Sequence, residues 1–194
     1  MVKIRINGEE KLYEEGIKYE IIAKEYQSLY RDSIALVIVN GKIRELMKRV
    51  DRDCELSFAT YGDSIGHKTY VRSAIMLLMK AIADVAGVDA AAATKVEFAI
   101  GAGYYCRFTN DISLDDTQIV KVKERMKELV DADIPVTKKA YQADEAVKLF
   151  EAYGMSDKVK LFRYRRSSTI NVYCLGDYFD YYYGYMLPST GYIK

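Results

Sequence analysis

The run IALVIV, Ile34–Val39, does more than any other stretch to limit what this chain can become. An uninterrupted apolar run this short fits a buried strand. Asn40-Gly41 follows at once, the dipeptide that supplies the positive backbone angles of a tight hairpin turn. The same signal occurs earlier, where KIRI alternates like a strand, Asn7-Gly8 turns the chain, and KLYEE resumes extended structure. Between the two lies helical spacing over residues 17–29, carried by Ile21, Ile22, Tyr26 and Leu29. CELSF, residues 54–58, alternates again.

Hairpin, helix, buried strand, short strand and final strand, in that order, describe a β-grasp (ubiquitin-like) fold. TYGDSIGHK, residues 60–68, is a polar, glycine-bearing break, so the boundary is expected there, with one domain over 1–62 and a second over 63–194. A long helix over residues 70–86 follows, with Ile75, Leu78, Met79, Ile82 and Val85 on one stripe. Residues 95–108 read as strand, glycine turn, strand. Ser113-Leu-Asp-Asp116 predicts a capping-box variant that opens a helix carrying Ile119, Val122, Met126 and Leu129 on one face. VTKKAY predicts an extended segment and residues 143–154 a short helix with a glycine stop. KVKLFRY and TINVYCLG then predict two paired strands. The fold class expected for the second domain, and for the chain, is α+β.

At 194 residues the chain is long enough for a substantial core, and its 50% hydrophobic and 29% charged content is that of an ordinary globular protein. A formal charge of +1 argues against broad electrostatic attraction to nucleic acid or membrane. No stretch approaches the roughly 20 apolar residues of a membrane helix, and Arg5, Glu9 and Glu10 interrupt any signal-like N-terminal run. Cys54, Cys106 and Cys174 are scattered and form no Cys-x-x-Cys pair, which predicts reduced thiols and a cytoplasmic location.

Nucleotide and metal motifs fail on spacing. GDSIGHKT, residues 62–69, has three residues between its glycines and His67 where a phosphate loop needs Lys, so it reads as a surface linker. His67 is the only histidine, and no metal site is expected. Asp177 and Asp180 read by default as solvated turn residues.

Certain stretches resemble known families. VNGKIREL and DCELSF make residues 1–62 similar to a TGS domain. AIGAGYYCRF, residues 124–154 and the ending LGDYFDYYYGYMLPSTGYIK make residues 63–194 resemble the second additional domain of threonyl-tRNA synthetase, which edits mischarged tRNA. That family carries His-x-x-x-His on the long helix and Cys-x-x-x-His before Pro-Ser-Thr-Gly. Here those four positions hold Arg72, Met76, Tyr182 and Met186, while Pro188 to Gly191 match. A thioether cannot act as a general base, so the resemblance implies an editing site that has lost its chemistry.

YVRS, LFRYR and GDYFDYYYGYMLPSTGY resemble the N-terminal region of bacterial uridine-kinase-like proteins of the phosphoribulokinase/uridine kinase class more closely. That resemblance implies a non-catalytic accessory region of a nucleoside kinase. It requires no cofactor in this chain itself; ATP and Mg would serve a kinase domain following Lys194. A divergent aminoacyl-tRNA deacylase and a plain protein-interaction module are the alternatives. The implied partners are a nucleotide or RNA and the kinase domain, with no membrane.

If the editing geometry is retained, Arg72 and Met76 face Tyr182 and Met186 across a cleft. Arg72 could then clamp a phosphate, Tyr104, Tyr105 and Tyr182 could stack a base, and Ser189 and Thr190 would offer hydroxyls at the rim. The alternative is structural throughout. Met76 would fill core, Tyr181, Tyr183 and Tyr185 would alternate along a strand, Arg163, Arg165 and Arg166 would be a solvated strand end, and Arg72 would pair with Asp177 or Asp180.

Overall fold

The computed structural model describes residues 1–109, 111–164 and 168–194. Arg165 and Arg166 lie outside the described residues. The chain is α+β, and its described residues form a five-stranded sheet, a three-stranded sheet and a two-stranded hairpin.

The first sheet comprises β1 (Val2–Ile6), β2 (Glu9–Tyr13), β3 (Ile34–Val39), β4 (Lys42–Glu45) and β5 (Cys54–Thr60), in the order β2-β1-β5-β3-β4. β1 and β5 pair in parallel at its centre, and the remaining pairs are antiparallel. Both Asn-Gly turns take the left-handed conformation that a two-residue hairpin requires, with φ of 52° and 86° at Asn7 and Gly8 and 47° and 76° at Asn40 and Gly41. Helix α1 (Tyr19–Tyr26) packs Ile22, Ala23 and Tyr26 against Ile4, Ile6, Val37 and Leu56. Neighbouring strand residues point to opposite faces. Leu36 and Ala59 accordingly join a second core, under helix α2 (Ser64–Ala86), while Val37 and Phe58 stay in the first.

Helix α2 starts six residues before the expected Tyr70, so GDSIGHKT is no linker and His67 sits on the helix. Asp63 accounts for the difference. It occupies the N-cap position, and its carboxylate accepts from the Thr60 amide (2.7 Å) and hydroxyl (3.0 Å), closing the turn that leads into the helix rather than capping a helical amide. The polar residues that read as a break are the helix's solvent-facing first turn. Gly66 is there for packing: a Cβ would overlap the Thr60 carbonyl oxygen and touch Ala35.

A short alanine-rich helix, α3 (Val88–Ala93), leads into the hairpin of β6 (Thr94–Ile100) and β7 (Gly103–Phe108). Helix α4 (Asp116–Asp131) is capped two residues later than expected. Asp115, not Ser113, accepts from the Gln118 amide (2.7 Å), and Gln118 Oε1 accepts from the Asp115 amide (3.1 Å). Strand β8 (Val136–Gln142) is followed by α5 (Ala143–Ala152).

KVKLFRY is not a strand. It lies in helix α6 (Ser156–Arg163), where Val159 and Phe162, three residues apart, share a buried face. The Phe162 ring packs 5.3 Å from Phe150 of α5. Alternating lysines had imitated a strand's period of two. β9 (Thr169–Leu175) therefore finds its antiparallel partner in β8 along its whole length, and β10 (Tyr178–Asp180) pairs on its other side.

Candidate functional site

Helix α2 places Arg72 and Met76 one turn apart, and the loop after β10 brings up Tyr182 and Met186. No open cleft separates them. Met76 and Met186 are both 0% exposed within one core cluster. Between them Ser73 Oγ donates to the Thr69 carbonyl (2.9 Å), accepts from the Leu187 amide (2.9 Å) and touches Met186 Sδ at 4.0 Å.

Arg72 Nη1 donates to the Tyr185 carbonyl (2.7 Å). Half-burial lowers its pKa, and the nearby Tyr173 and Glu45 oppose that shift. Neither expected carboxylate reaches it. Asp177 accepts from Lys80 (2.6 Å), and Asp180 pairs with Lys158 (3.1 Å). The expected strand alternation of Tyr181, Tyr183 and Tyr185 is also absent, because residues 181–189 form an irregular loop. That loop turns its own backbone toward α2, which is why a carbonyl rather than a side chain satisfies the guanidinium.

Beside this sealed cluster is a cavity of about 210 Å³ between α2, β6, α6 and β10. Lys95, Asp157, Lys158, Tyr178, Asp180 and Tyr182 give it a polar wall, opposite Ile75 and Met79. Asp180, 7% exposed, is the deepest charge. It also accepts from the Tyr181 amide (2.6 Å), and burial raises its pKa against the pull of Lys158. Asp157 lies between Lys95 (3.1 Å) and Lys158 (3.8 Å), and those two ammonium groups lower its pKa in spite of its burial. The Tyr182 hydroxyl is shut away from solvent without a well-formed hydrogen bond. Burial, reinforced by Asp180, drives its pKa well up. Asp180 is thus no solvated turn residue. Lys95, Asp157 and Lys158 had no place in the sequence reading, because α6, which carries two of them, read as a strand. The cue was Ser156-Asp157 after Gly154, a helix-start signal.

A larger groove, about 650 Å³, runs between α2 and the β6–β7 hairpin and is lined by His67, Tyr70, Tyr104 and Cys106 among others. Tyr105 stacks on Phe98 on the outside of the hairpin, with ring centroids 5.3 Å apart. The expected rim hydroxyls serve the fold. Ser189 donates to Asp133, and Thr190 Oγ1 donates to the Leu129 carbonyl (2.5 Å) while accepting from the Ile134 amide (2.7 Å). Ser189 also lines a separate cavity beside Lys48 and Lys138. The eight expected site residues are therefore dispersed. Arg72, Met76 and Met186 are packed together, Tyr182 faces the polar cavity, Tyr104 the groove, and Tyr105, Ser189 and Thr190 lie elsewhere.

Neither an imidazole nor a thiol stands at the four motif positions, so no side chain there can take a proton from water near neutral pH. Among the described residues, no group of three or more His, Cys, Asp or Glu side chains is gathered as for a metal ion. No helix among them is long and apolar enough to cross a membrane.

No family model matches the chain. Similarity appears instead to curated threonine–tRNA ligases. The Hahella chejuensis ligase is 31% identical over 157 residues, 80% of this chain and 24% of the ligase. The Clostridium kluyveri ligase is 30% identical over 201 residues, and the Thermotoga petrophila ligase 28% identical over 199, each across 100% of this chain and 30% of the ligase. The chain thus spans about a third or less of the length of these relatives. The uridine-kinase resemblance draws no support from them. Over its whole length, the chain is similar to part of the threonine–tRNA ligases.

Proposed function

We propose that the chain is a non-hydrolytic counterpart of the tRNA-editing module, holding the terminal nucleotide of an RNA, or a free nucleotide, without cleaving anything. The burial of Met76 and Met186 in place of two histidines carries this reading, because it removes both the proton acceptor and the room for an attacking water. The polar cavity next to them supports binding. Lys158 and Lys95 offer ammonium groups to a phosphate, and Tyr178 and Tyr182 line the wall that a nucleoside would meet. Similarity to threonine–tRNA ligases supports RNA as the source of that nucleotide.

Calorimetric titration of the chain with AMP and with a short RNA ending in adenosine tests the proposal. Lys158→Gln should weaken binding roughly tenfold, the loss of one charge-assisted hydrogen bond. Lys139→Gln, at an exposed position on β8, should leave it unchanged. No heat with either ligand, or equal affinity in Lys158→Gln, would contradict it. A uridine-kinase-like parent rests on YVRS, LFRYR and the tyrosine-rich ending alone. A phosphate loop encoded downstream of Lys194 would support it, and a class II synthetase core there would not.

A further inference from the structure

Glu45 closes β4, an edge strand of the first sheet, yet it is 2% exposed and, among the described residues, the hydrogen-bond partners of its carboxyl lie beyond residue 130. Its Oε1 accepts from the Tyr173 hydroxyl (2.5 Å) and the Met186 amide (3.2 Å), and its Oε2 accepts from Lys138 Nζ (3.0 Å). The single Tyr173 proton is shared with the Gly184 carbonyl at 2.6 Å. The Lys138 ammonium also sits 4.7 Å from the centre of the Tyr173 ring. Arg72 adds its bond to the Tyr185 carbonyl. Gly184 is pressed so closely against that guanidinium that a Cβ would come within 2.6 Å of it.

Three successive residues, Gly184, Tyr185 and Met186, each give one backbone group to this cluster. They belong to the loop that carries one motif position, Met186, and continues from another, Tyr182. Lys138 pairs directly with Glu45 (3.0 Å), and the nearby Arg72 feels the same carboxylate without an ion pair to it. A buried carboxyl with this many partners is costly to remove, because each partner is then left unsatisfied. The first sheet needs no such residue for its own packing, since α1 already covers its core.

We infer that Glu45 is a latch through which the first sheet holds loop 184–186 closed over the motif positions. The state of the candidate site then depends on the docking of the β-grasp sheet, whatever ligand the neighbouring cavity accepts. With Glu45 gone, the Met186 amide loses its acceptor, the Tyr173 hydroxyl keeps only the Gly184 carbonyl, Lys138 loses its counter-charge, and the loop is free to lift from α2.

Residue-resolved hydrogen exchange on the full chain tests this. In Glu45→Ala the Met186 amide should exchange roughly tenfold faster or more, matching the loss of a buried bond to a charged group. Amides within the β1–β2 and β6–β7 pairs should keep their rates. Glu45→Gln, which still offers an oxygen to the Met186 amide, should recover most of the protection. Tyr173→Phe, which leaves Glu45 in place, should give a smaller rise confined to residues 184–186, and it keeps the test decisive if Glu45→Ala does not fold. Unchanged exchange at Met186 in the folded Ala variant would overturn the inference. So would a uniform acceleration across both sheets, or Tyr173→Phe without any local rise.

Discussion

Arg72 was legible from the sequence as a departure from a histidine motif, but its partner was not. The expectation that it would pair with Asp177 or Asp180 overlooked a backbone carbonyl, and carbonyls carry no sequence signature. Gly184 belongs to the same contact: it holds φ of +127°, and a Cβ there would run into the Arg72 guanidinium. Gly184→Ala should therefore destabilise the chain by about 1–3 kcal/mol through backbone strain and overpacking. Urea denaturation reads this directly, and a change within experimental error would refute the packing described.

Asp180 yields a pH prediction at the same scale. Its pKa is raised in the folded chain, by burial, above the roughly 3.9 of an unfolded aspartate. Between those two values the folded state binds more protons than the unfolded one, so this group's contribution to stability falls as pH rises through that window. Asp157, Lys95 and Lys158 face it, and the lowered pKa of Asp157 works in the opposite sense, favouring the fold above roughly 3.9. Asp180→Asn removes only the first effect. The variant should gain stability relative to the parent as pH increases from 4 towards neutrality, measured by urea denaturation across that range. A difference that stays flat, or runs the other way, would count against a buried Asp180 with a raised pKa.

At the scale of elements, the first sixty residues were the most legible part. Two Asn-Gly turns and one short apolar run left few alternatives, and strand order followed. Periodicity misled where charged residues alternated with apolar ones. Residues 158–164 satisfied a period of two on paper, but Val159 and Phe162 satisfied the helical spacing that Phe150 rewards with a packed ring. That error hid Asp157 and Lys158, two charged residues of the polar cavity. The start of α2 was hidden because an Asp N-cap and a packing glycine look like a linker when their tertiary neighbours are unseen. Capping itself makes a clean test. Asp115→Ala removes the carboxylate that accepts from the Gln118 amide at the start of α4, while the Asp115 amide can still donate to Gln118 Oε1, and it should cost about 1 kcal/mol. Ser113→Ala, at the position first expected to cap, should cost far less. Equal losses in the two variants would restore Ser113 as the cap.

In the whole molecule, one sheet serves two cores, with α1 on one face and α2 on the other. Leu36, 0% exposed, sits in the layer shared by β3 and α2. Leu36→Ala should cost about 2–5 kcal/mol, as for a buried leucine, and thermal unfolding should stay a single transition. Two separated transitions in the parent chain would show that the shared layer does not couple the cores. The candidate site shares this dependence, since its loop is fastened from β4.

The proposed absence of hydrolysis follows from Arg72, Met76, Tyr182 and Met186 at the four motif positions. The direct measurement is the deacylation of Ser-tRNA(Thr) with and without the purified chain, at stoichiometric concentration so that even a single turnover registers. The ester should decay at its rate in buffer alone, because buried Met76 and Met186 supply no base and Arg72 is committed to the Tyr185 carbonyl. Decay that the chain accelerates, and that Tyr182→Phe or Lys158→Gln abolishes, would contradict the account and assign the polar cavity a catalytic role.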